Sequence, residues 1–252
     1  MLYYAPMKAL IPAAGHGTRF LPVTRVVPKE MLPVGSKPAI QLIVEEALAA
    51  GADEVVIVTS PEKEIIKRYF DGDPDLAGRI RWAYQTEQKG LGHAVLQAAD
   101  ALAGETEPVL VLLGDALVSG EAPSAAMAAI SRAHGGASVV GLERVPRERI
   151  SRYGIVAGTP EDDRVLKLTD LVEKPQPENA PSDLAIAGRY LLHPDIFALL
   201  ASQTPGHGGE IQLTDSIRRL LAARPVYGYR YPGRRHDIGN PQGYLETLQA
   251  FA

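Results

Sequence analysis

The 252-residue chain contains no cysteine. Disulfides and thiolate metal centres are thereby excluded, and any divalent ion must be held by carboxylates, histidines or ligand oxygens. It also lacks a run of about 20 apolar residues, the length that crosses a bilayer. No long basic run is present, and 26 basic against 30 acidic side chains give a net charge of −4. Neither a nucleic-acid polymer nor a membrane is therefore expected as a partner. The opening stretch "MLYYAPMKALIPAAG" has no positive n-region and only a short apolar run, unlike a secretory signal. Repeats and low-complexity tracts are missing too. What remains is the profile of a cytoplasmic globular protein, with 46% hydrophobic residues, enough for one large α/β domain or two small ones. Small anions can still be bound by individually placed Lys and Arg.

Apolar runs of strand length alternate with amphipathic stretches of helix length. "KALIPA", "EVVIVTS", "RIRWAYQ" and "PVLVLLGD" read as strands. Between them "PAIQLIVEEALAAG", "PEKEIIKRYFDG" and "GLGHAVLQAADALAG" read as helices, and "APSAAMAAISRAHGG" follows as another. This alternation predicts a doubly wound, mostly parallel α/β sheet with ligands at the carboxyl ends of its strands. After about Ser138 the rhythm changes: "ASVVGLERV", "YGIVAG", "RVLKLTDLVEK" and "LAIAGRYLL" are strand-like with few helices between. An antiparallel or mixed region is expected there, appended to the parallel core. Helices are expected again at "PDIFALLAS", "IQLTDSIRRLLAA" and "PQGYLETLQAFA". No clear linker separates the halves, so the expectation is one domain over 1–252.

The first strand runs directly into "GHGTRF", Gly15 to Phe20. Glycines let the backbone take positive φ and approach a ligand, and an arginine beside them suits a phosphate. The dinucleotide fingerprint is incomplete, because Phe20 stands where its third glycine belongs. The acidic residue expected about 20 residues on is missing, and no G-x-x-x-x-G-K-[ST] occurs anywhere. Two glycines alone also suit a plain strand-to-helix turn. Lys29, held between Pro28 and Pro33, sits on a stiff segment and becomes a phosphate-ligand candidate beside Arg19.

Two further places carry chemistry. "VLVLLGD" ends a buried strand on Asp115, which is well placed for Mg²⁺, although a lone Asp also caps turns. A second carboxylate candidate is Asp237 in "RRHDIGN". "LVEKPQP" carries Glu173 and Lys174; adjacent strand residues face opposite ways, so both can reach one ligand only if the strand ends there, which Pro175 provides. His16, His93 and His236 have no mutual ligand spacing and are read as structural.

"GHGTRFLPVTRVVPKEMLPVGSKPAIQLIVEEALAAG" resembles the signature of the sugar-1-phosphate nucleotidylyltransferases. The likeness continues through "GLGHAVLQA", "VEKP", "AIAGRYLL", "GGEIQLTDSI" and "HDIGN", and so spans nearly the whole chain. It implies that a sugar-1-phosphate oxygen attacks the α-phosphorus of a nucleoside triphosphate in line and expels pyrophosphate. The motifs lean toward UTP and glucose-1-phosphate, giving UDP-glucose. By this resemblance Ala14, Gly15, Gly17, Thr18, Arg19 and Lys29 hold the triphosphate, and Gln85 and Gly90 read the base. Gly154, Glu173, Lys174 and Gly188 line the sugar site, with Lys174 on the sugar phosphate, while Asp115 and Asp237 bind Mg²⁺. Arg19, Lys29, Asp115, Lys174 and Asp237 are thus the expected catalytic set. The nucleotide-binding part covers about 1–137, and the sugar-binding part with the C-terminal helices about 138–252.

Two features depart from the uridylyltransferase pattern: a very short connection between "YFDGDPD" and "RIRWAYQ", and an end soon after "GYLETLQAF". Both regions serve oligomer contacts in the family, and a homo-oligomer is expected. The compact size also resembles thymidylyltransferases that use dTTP. A catalytically silent nucleotide-sugar-binding homologue is disfavoured by the five catalytic candidates together. A nicotinamide-dependent oxidoreductase is disfavoured by the missing glycine and ribose acid.

Overall fold

The computed structural model describes residues 7–252. The start of the stretch read above for a secretory signal lies outside the described residues. In the first half, β1 (Met7–Pro12) is followed by the small hairpin β2 (Pro33–Val34) and β3 (Lys37–Pro38), then α1 (Ala39–Ala49). Next come β4 (Ala52–Thr59), α2 (Glu64–Asp71), β5 (Ile80–Tyr84), α3 (Leu91–Leu96), β6 (Val109–Leu112), β7 (Ala116–Ser119) and α4 (Ser124–Ala133). The second half contains β8 (Ser138–Arg144), β9 (Gly154–Pro160), β10 (Val165–Glu173), β11 (Leu184–Leu192), α5 (Asp195–Ala201), α6 (Leu213–Leu221), β12 (Val226–Arg230), β13 (Arg234–Asp237) and α7 (Pro241–Ala250).

One nine-stranded sheet runs through both halves in the order β5-β4-β1-β6-β11-β8-β12-β10-β9. From β5 to β6 every pairing is parallel. Strand β11 then joins β6 antiparallel, and β8–β12 is the one parallel pair beyond it. The antiparallel strands therefore extend the parallel core edge to edge. Alternation along the strands sends Ala9, Ile11, Val55 and Ile57 to one face and Leu10, Val56 and Val58 to the other. The first face is covered by Ile40, Ile43 and Val44 of α1, Ile66 and Phe70 of α2, and Met127 of α4. Val95, Ile196, Leu200, Leu213, Ile217 and Leu220 from α3, α5 and α6 cover the second. A sheet buried on both faces explains the near-continuous apolar runs. No helix among the described residues is long and apolar enough to cross a membrane.

The element pattern holds apart from the unexpected β2–β3 hairpin and two further corrections. The helix expected across "GLGHAVLQAADALAG" keeps its α-form only to Leu96. Beyond it the backbone tightens into turns, with Ala98 N–H on Val95 O and Ala99 N–H on Leu96 O. Strands β7 and β13 were not expected; they pair antiparallel as a separate ribbon, with Asp237 opposite Ala116.

Candidate active site

Strand β1 ends at Pro12 and delivers the glycine loop at the carboxyl edge of the parallel strands. Gly17 has φ 65°, and an added Cβ there would lie 3.0 Å from Thr24 Cγ2. Thr24 Oγ1 donates to Gly17 O at 2.9 Å, so this glycine is required by local folding. Gly15 differs: nothing lies within 4 Å of where its Cβ would be. Thr18 and Arg19 follow on a short 3-10 turn, both exposed.

Lys29 lies on a second 3-10 turn, Lys29–Met31, between its two prolines. Its Nζ donates to Asp115 Oδ2 at 2.5 Å. Burial pushes the ammonium down, but Asp115 and Glu30 outweigh that and hold it above its ordinary value. Asp115 is likewise pushed up by burial, and the Lys29 charge beside it wins, keeping the carboxyl below its usual range.

Asp237 reaches the same place from the other half of the chain. The β7–β13 pairing sets it beside Ala116, and Ile238 N–H donates to Asp115 O at 2.9 Å. An ideal Cβ on Gly239 would stand 2.8 Å from Asp237 Oδ1 and 3.2 Å from Asp115 Oδ2, so both carboxylates face one small space. The run "DIGNPQG" builds this corner locally. Gly239 N–H donates to Asp237 Oδ1 at 2.7 Å, and Asn240 caps α7 by accepting from Gly243 N–H at 2.9 Å. An added Cβ on Gly243 would collide with Asp237 O, at 2.0 Å.

A cavity of about 340 Å³ opens here, bordered by Ala14, Gly15, Lys29, Gln85, Gly90 and Asp115. Gln85 is nearly buried; its amide nitrogen meets His93 Nδ1 at 2.9 Å and Gly90 O at 3.3 Å. Gly90 has φ 98°, and a Cβ there would meet Glu210 Cβ at 2.8 Å and Ile211 O at 2.9 Å. The "KGLG" and "GGEIQ" motifs thus pack backbone against backbone, sealed by Ile211 N–H on Lys89 O at 2.8 Å. Two of the three histidines set aside above have side-chain partners. His93 packs against Gln85 and Gln97, His236 meets Ser119 Oγ at 2.8 Å, and His16 is exposed.

On the other side, β10 stops at Glu173 and Lys174 takes φ 44°, the one positive φ on a non-glycine among the described residues. Such a conformation costs about 1–3 kcal/mol and persists only where surroundings impose it. Here Lys174 N–H donates to Tyr153 O at 3.0 Å. The reversal brings Lys174 Nζ within 3.3 Å of Glu173 Oε1, so the two neighbours share one side as the strand ending required. Gly154 lies opposite Glu173 in the β9–β10 register. Its Cβ would meet Thr214 Oγ1 at 2.8 Å. At Gly188, φ 73°, an added Cβ would lie 3.3 Å from Leu113 and Ala116, the flanks of the Asp115 turn. Buried Tyr190 has its hydroxyl pushed up, first by burial and then by Glu173, with Asp115 adding to it.

Sequence reading missed the buried supports. Arg189 is fully buried and grips Glu46 with two bonds of 2.9 and 2.7 Å, while also donating to Ala116 O at 2.9 Å. Lys63 and Glu30 form a second buried pair at 2.9 Å. Burial pushes Lys63 down and Glu30 up, each countered by the other's charge. "VEEAL", "PEK" and "PKE" look like ordinary helix or turn surface, and although Glu30, Glu46 and Arg189 lie within the motifs quoted above, nothing in those motifs marks them as buried. For a metal, no group of three or more ligating side chains occurs among the described residues. Two carboxylates around the Gly239 space nevertheless suit a hard cation that completes its shell with ligand oxygens and water.

The family described as nucleotidyl transferase matches residues 8–252. UTP–glucose-1-phosphate uridylyltransferase 2 of Staphylococcus saprophyticus is 43% identical over 97% of this chain and 91% of its own length. The uridylyltransferase of Bacillus subtilis is 41% identical over 97% and 90%. A crystal structure of UDP-glucose pyrophosphorylase complexed with UDP-glucose superposes with TM-score 0.90 at 39% identity, covering 98% of each chain. The UTP-bound enzyme from Acinetobacter baumannii gives TM-score 0.86 at 33% identity, covering 98% of this chain and 93% of that one.

Proposed function

The chain belongs to the nucleotidyl transferase family, and on that premise we propose that it joins UTP and glucose-1-phosphate into UDP-glucose and pyrophosphate. The observation that carries this reading is the convergence of Lys29, Asp115 and Asp237 beside a glycine loop that leaves Gly15 open. Phosphoryl-type transfer is catalysed mainly by positioning and charge neutralisation, and this arrangement supplies both.

In this reading the triphosphate lies along Ala14, Gly15 and Gly17, with Thr18 and Arg19 closing from the exposed rim. Lys29 neutralises charge that develops on the departing pyrophosphate. Gln85 and Gly90 border the base; with the Gln85 amide nitrogen already engaged, its oxygen is the atom left to accept from a uracil N–H. Glucose-1-phosphate lies on the other side, its hydroxyls against Glu173, Gly154 and Gly188 and its phosphate on Lys174. Lys174 orients the phosphate oxygen that attacks the α-phosphorus; the new P–O bond forms as the bond to pyrophosphate breaks. A phosphate monoester oxygen is already nucleophilic, so no histidine base is required. Mg²⁺ would be held by Asp115 and Asp237, where it supplies further neutralisation of phosphate charge. We read the protein as one cytoplasmic catalytic unit that works as a homo-oligomer.

The test is pyrophosphate release over a matrix of nucleoside triphosphates and sugar-1-phosphates. UTP with glucose-1-phosphate should give the highest kcat/KM, and ATP and GTP should give little turnover. Equal rates with purine triphosphates would remove the base-reading role of Gln85 and Gly90.

A further inference from the structure

Lys63 has no part in the chemistry above, yet it is a fully engaged cation directly beneath the glycine loop. It sits on the Pro61–Lys63 turn that starts α2, and its side chain is 9% exposed. Its Nζ donates to Gly15 O at 2.6 Å, Ala13 O at 2.7 Å and Glu30 Oε2 at 2.9 Å. An ammonium has three N–H bonds, so each is matched to one acceptor. Two of the three acceptors are carbonyls of the glycine loop, and the third belongs to the residue next to Lys29.

A trans peptide is planar, with its C=O and the following N–H pointing in opposite directions. Drawing the carbonyls of Ala13 and Gly15 down onto Lys63 therefore turns the N–H groups of Ala14 and His16 the other way. Neither N–H donates to another group among the described residues. Gln88 holds the intervening Ala14 O from a second side, at 3.2 Å. Two N–H groups held toward one side in this manner are free to receive an anion.

We infer that Lys63 is a positioning residue for the nucleotide: it sets the loop amides for the triphosphate and, through Glu30, fixes the turn that carries Lys29. The inference rests on the reading of this loop as the UTP site. A merely structural Lys63 would serve to neutralise the buried Glu30 carboxylate, so that removing both charges would restore everything. A positioning Lys63 would still be missed, because the two loop carbonyls lose their donor.

The experiment compares wild type, Lys63→Met and the double variant Lys63→Met/Glu30→Gln. UTP affinity is read by direct titration, and KM for glucose-1-phosphate by pyrophosphate release. The expected result is UTP binding at least tenfold weaker in both variants, with KM for glucose-1-phosphate within twofold of wild type. Should Lys63→Met fail to fold, the double variant, which leaves no uncompensated buried charge, carries the test. A folded double variant with wild-type UTP affinity overturns the inference and leaves Lys63 as a counter-ion for Glu30. An equal loss for both substrates overturns it as well. If the wild-type protein itself binds no UTP, the reading of the loop falls and the inference with it.

Discussion

The two sides of the cleft are held in shape by different physics. On the side we assign to the nucleotide, charge pairs do the holding: Lys29 on the part-exposed Asp115, and the buried Lys63 on Glu30 and two loop carbonyls. On the side we assign to the sugar, backbone shape dominates. Lys174 is forced to positive φ, and Gly154 and Gly188 sit where a Cβ would press on Thr214, Leu113 or Ala116. A site for a triphosphate gains from cations fixed in a low-dielectric setting, where their charge is felt strongly. A sugar offers hydroxyls and a shape, so its recognition depends on which backbone atoms can come close. The Glu173–Lys174 pair there is longer, at 3.3 Å against 2.5 Å for Lys29–Asp115, although the two pairs are similarly part-exposed.

The contrast can be broken most severely at the carboxylates shared by both sides. Asp115→Asn and Asp237→Asn should each lower kcat by about 100-fold or more, the scale at which even outer partners of a metal site affect function. The Asp237 variant should keep its thermal midpoint, since that side chain supports only its own corner. Full activity of Asp237→Asn across a magnesium titration would end its assignment as a ligand.

Next come the lysines. A lost charge-assisted bond costs about 1.5–3 kcal/mol, and roughly 1.4 kcal/mol is tenfold in affinity. Lys174→Ala should weaken glucose-1-phosphate by about tenfold or more and leave UTP binding unchanged. Lys29→Ala should instead weaken UTP or lower kcat, and it strands the Asp115 carboxylate. If Lys174→Ala changes only the nucleotide, the two substrates have been assigned to the wrong sides.

A backbone-shaped pocket should respond to a single methyl group. Gly154→Ala places a Cβ 2.8 Å from Thr214 Oγ1 and 3.2 Å from Ile186 Cδ1. Overpacking of this kind costs about 1–3 kcal/mol of stability. KM for glucose-1-phosphate should rise severalfold while UTP affinity stays put, and a parallel rise for UTP would contradict the division of the cleft. The smallest effect is expected from comparing Lys174→Gly with Lys174→Ala. Both lose the ammonium, but glycine relieves the left-handed strain, so it should be the more stable variant by about 1 kcal/mol. Equal melting points would mean that the surroundings do not impose the conformation.

Hydrophobic periodicity and turn residues were enough to read the central parallel strands β1, β4 and β6, because a strand buried on both faces must be apolar along its whole length. The edge strand β5 offered less, since it mixes buried and exposed residues. The end of β10 at Glu173 was legible from Pro175 for a similarly local reason, since proline cannot continue the strand ladder. The glycine loop and the separate Asp115 and Asp237 motifs could be found without coordinates, each being a short run with its own chemistry. That the two aspartates face one space could not, because it depends on the β7–β13 ribbon joining residues more than a hundred positions apart. Nor could the early end of α3 be read, since "GLGHAVLQAADALAG" has good helical composition throughout and only its surroundings tighten the second half. Lys63, Glu30, Arg189 and Glu46 carry no sequence signal of burial, because charged residues are ordinarily at the surface. Tertiary structure alone decided that these four would be buried or nearly so, and it did so by giving each charge an opposite partner and the two cations carbonyls to bind, without which burying them would be too costly.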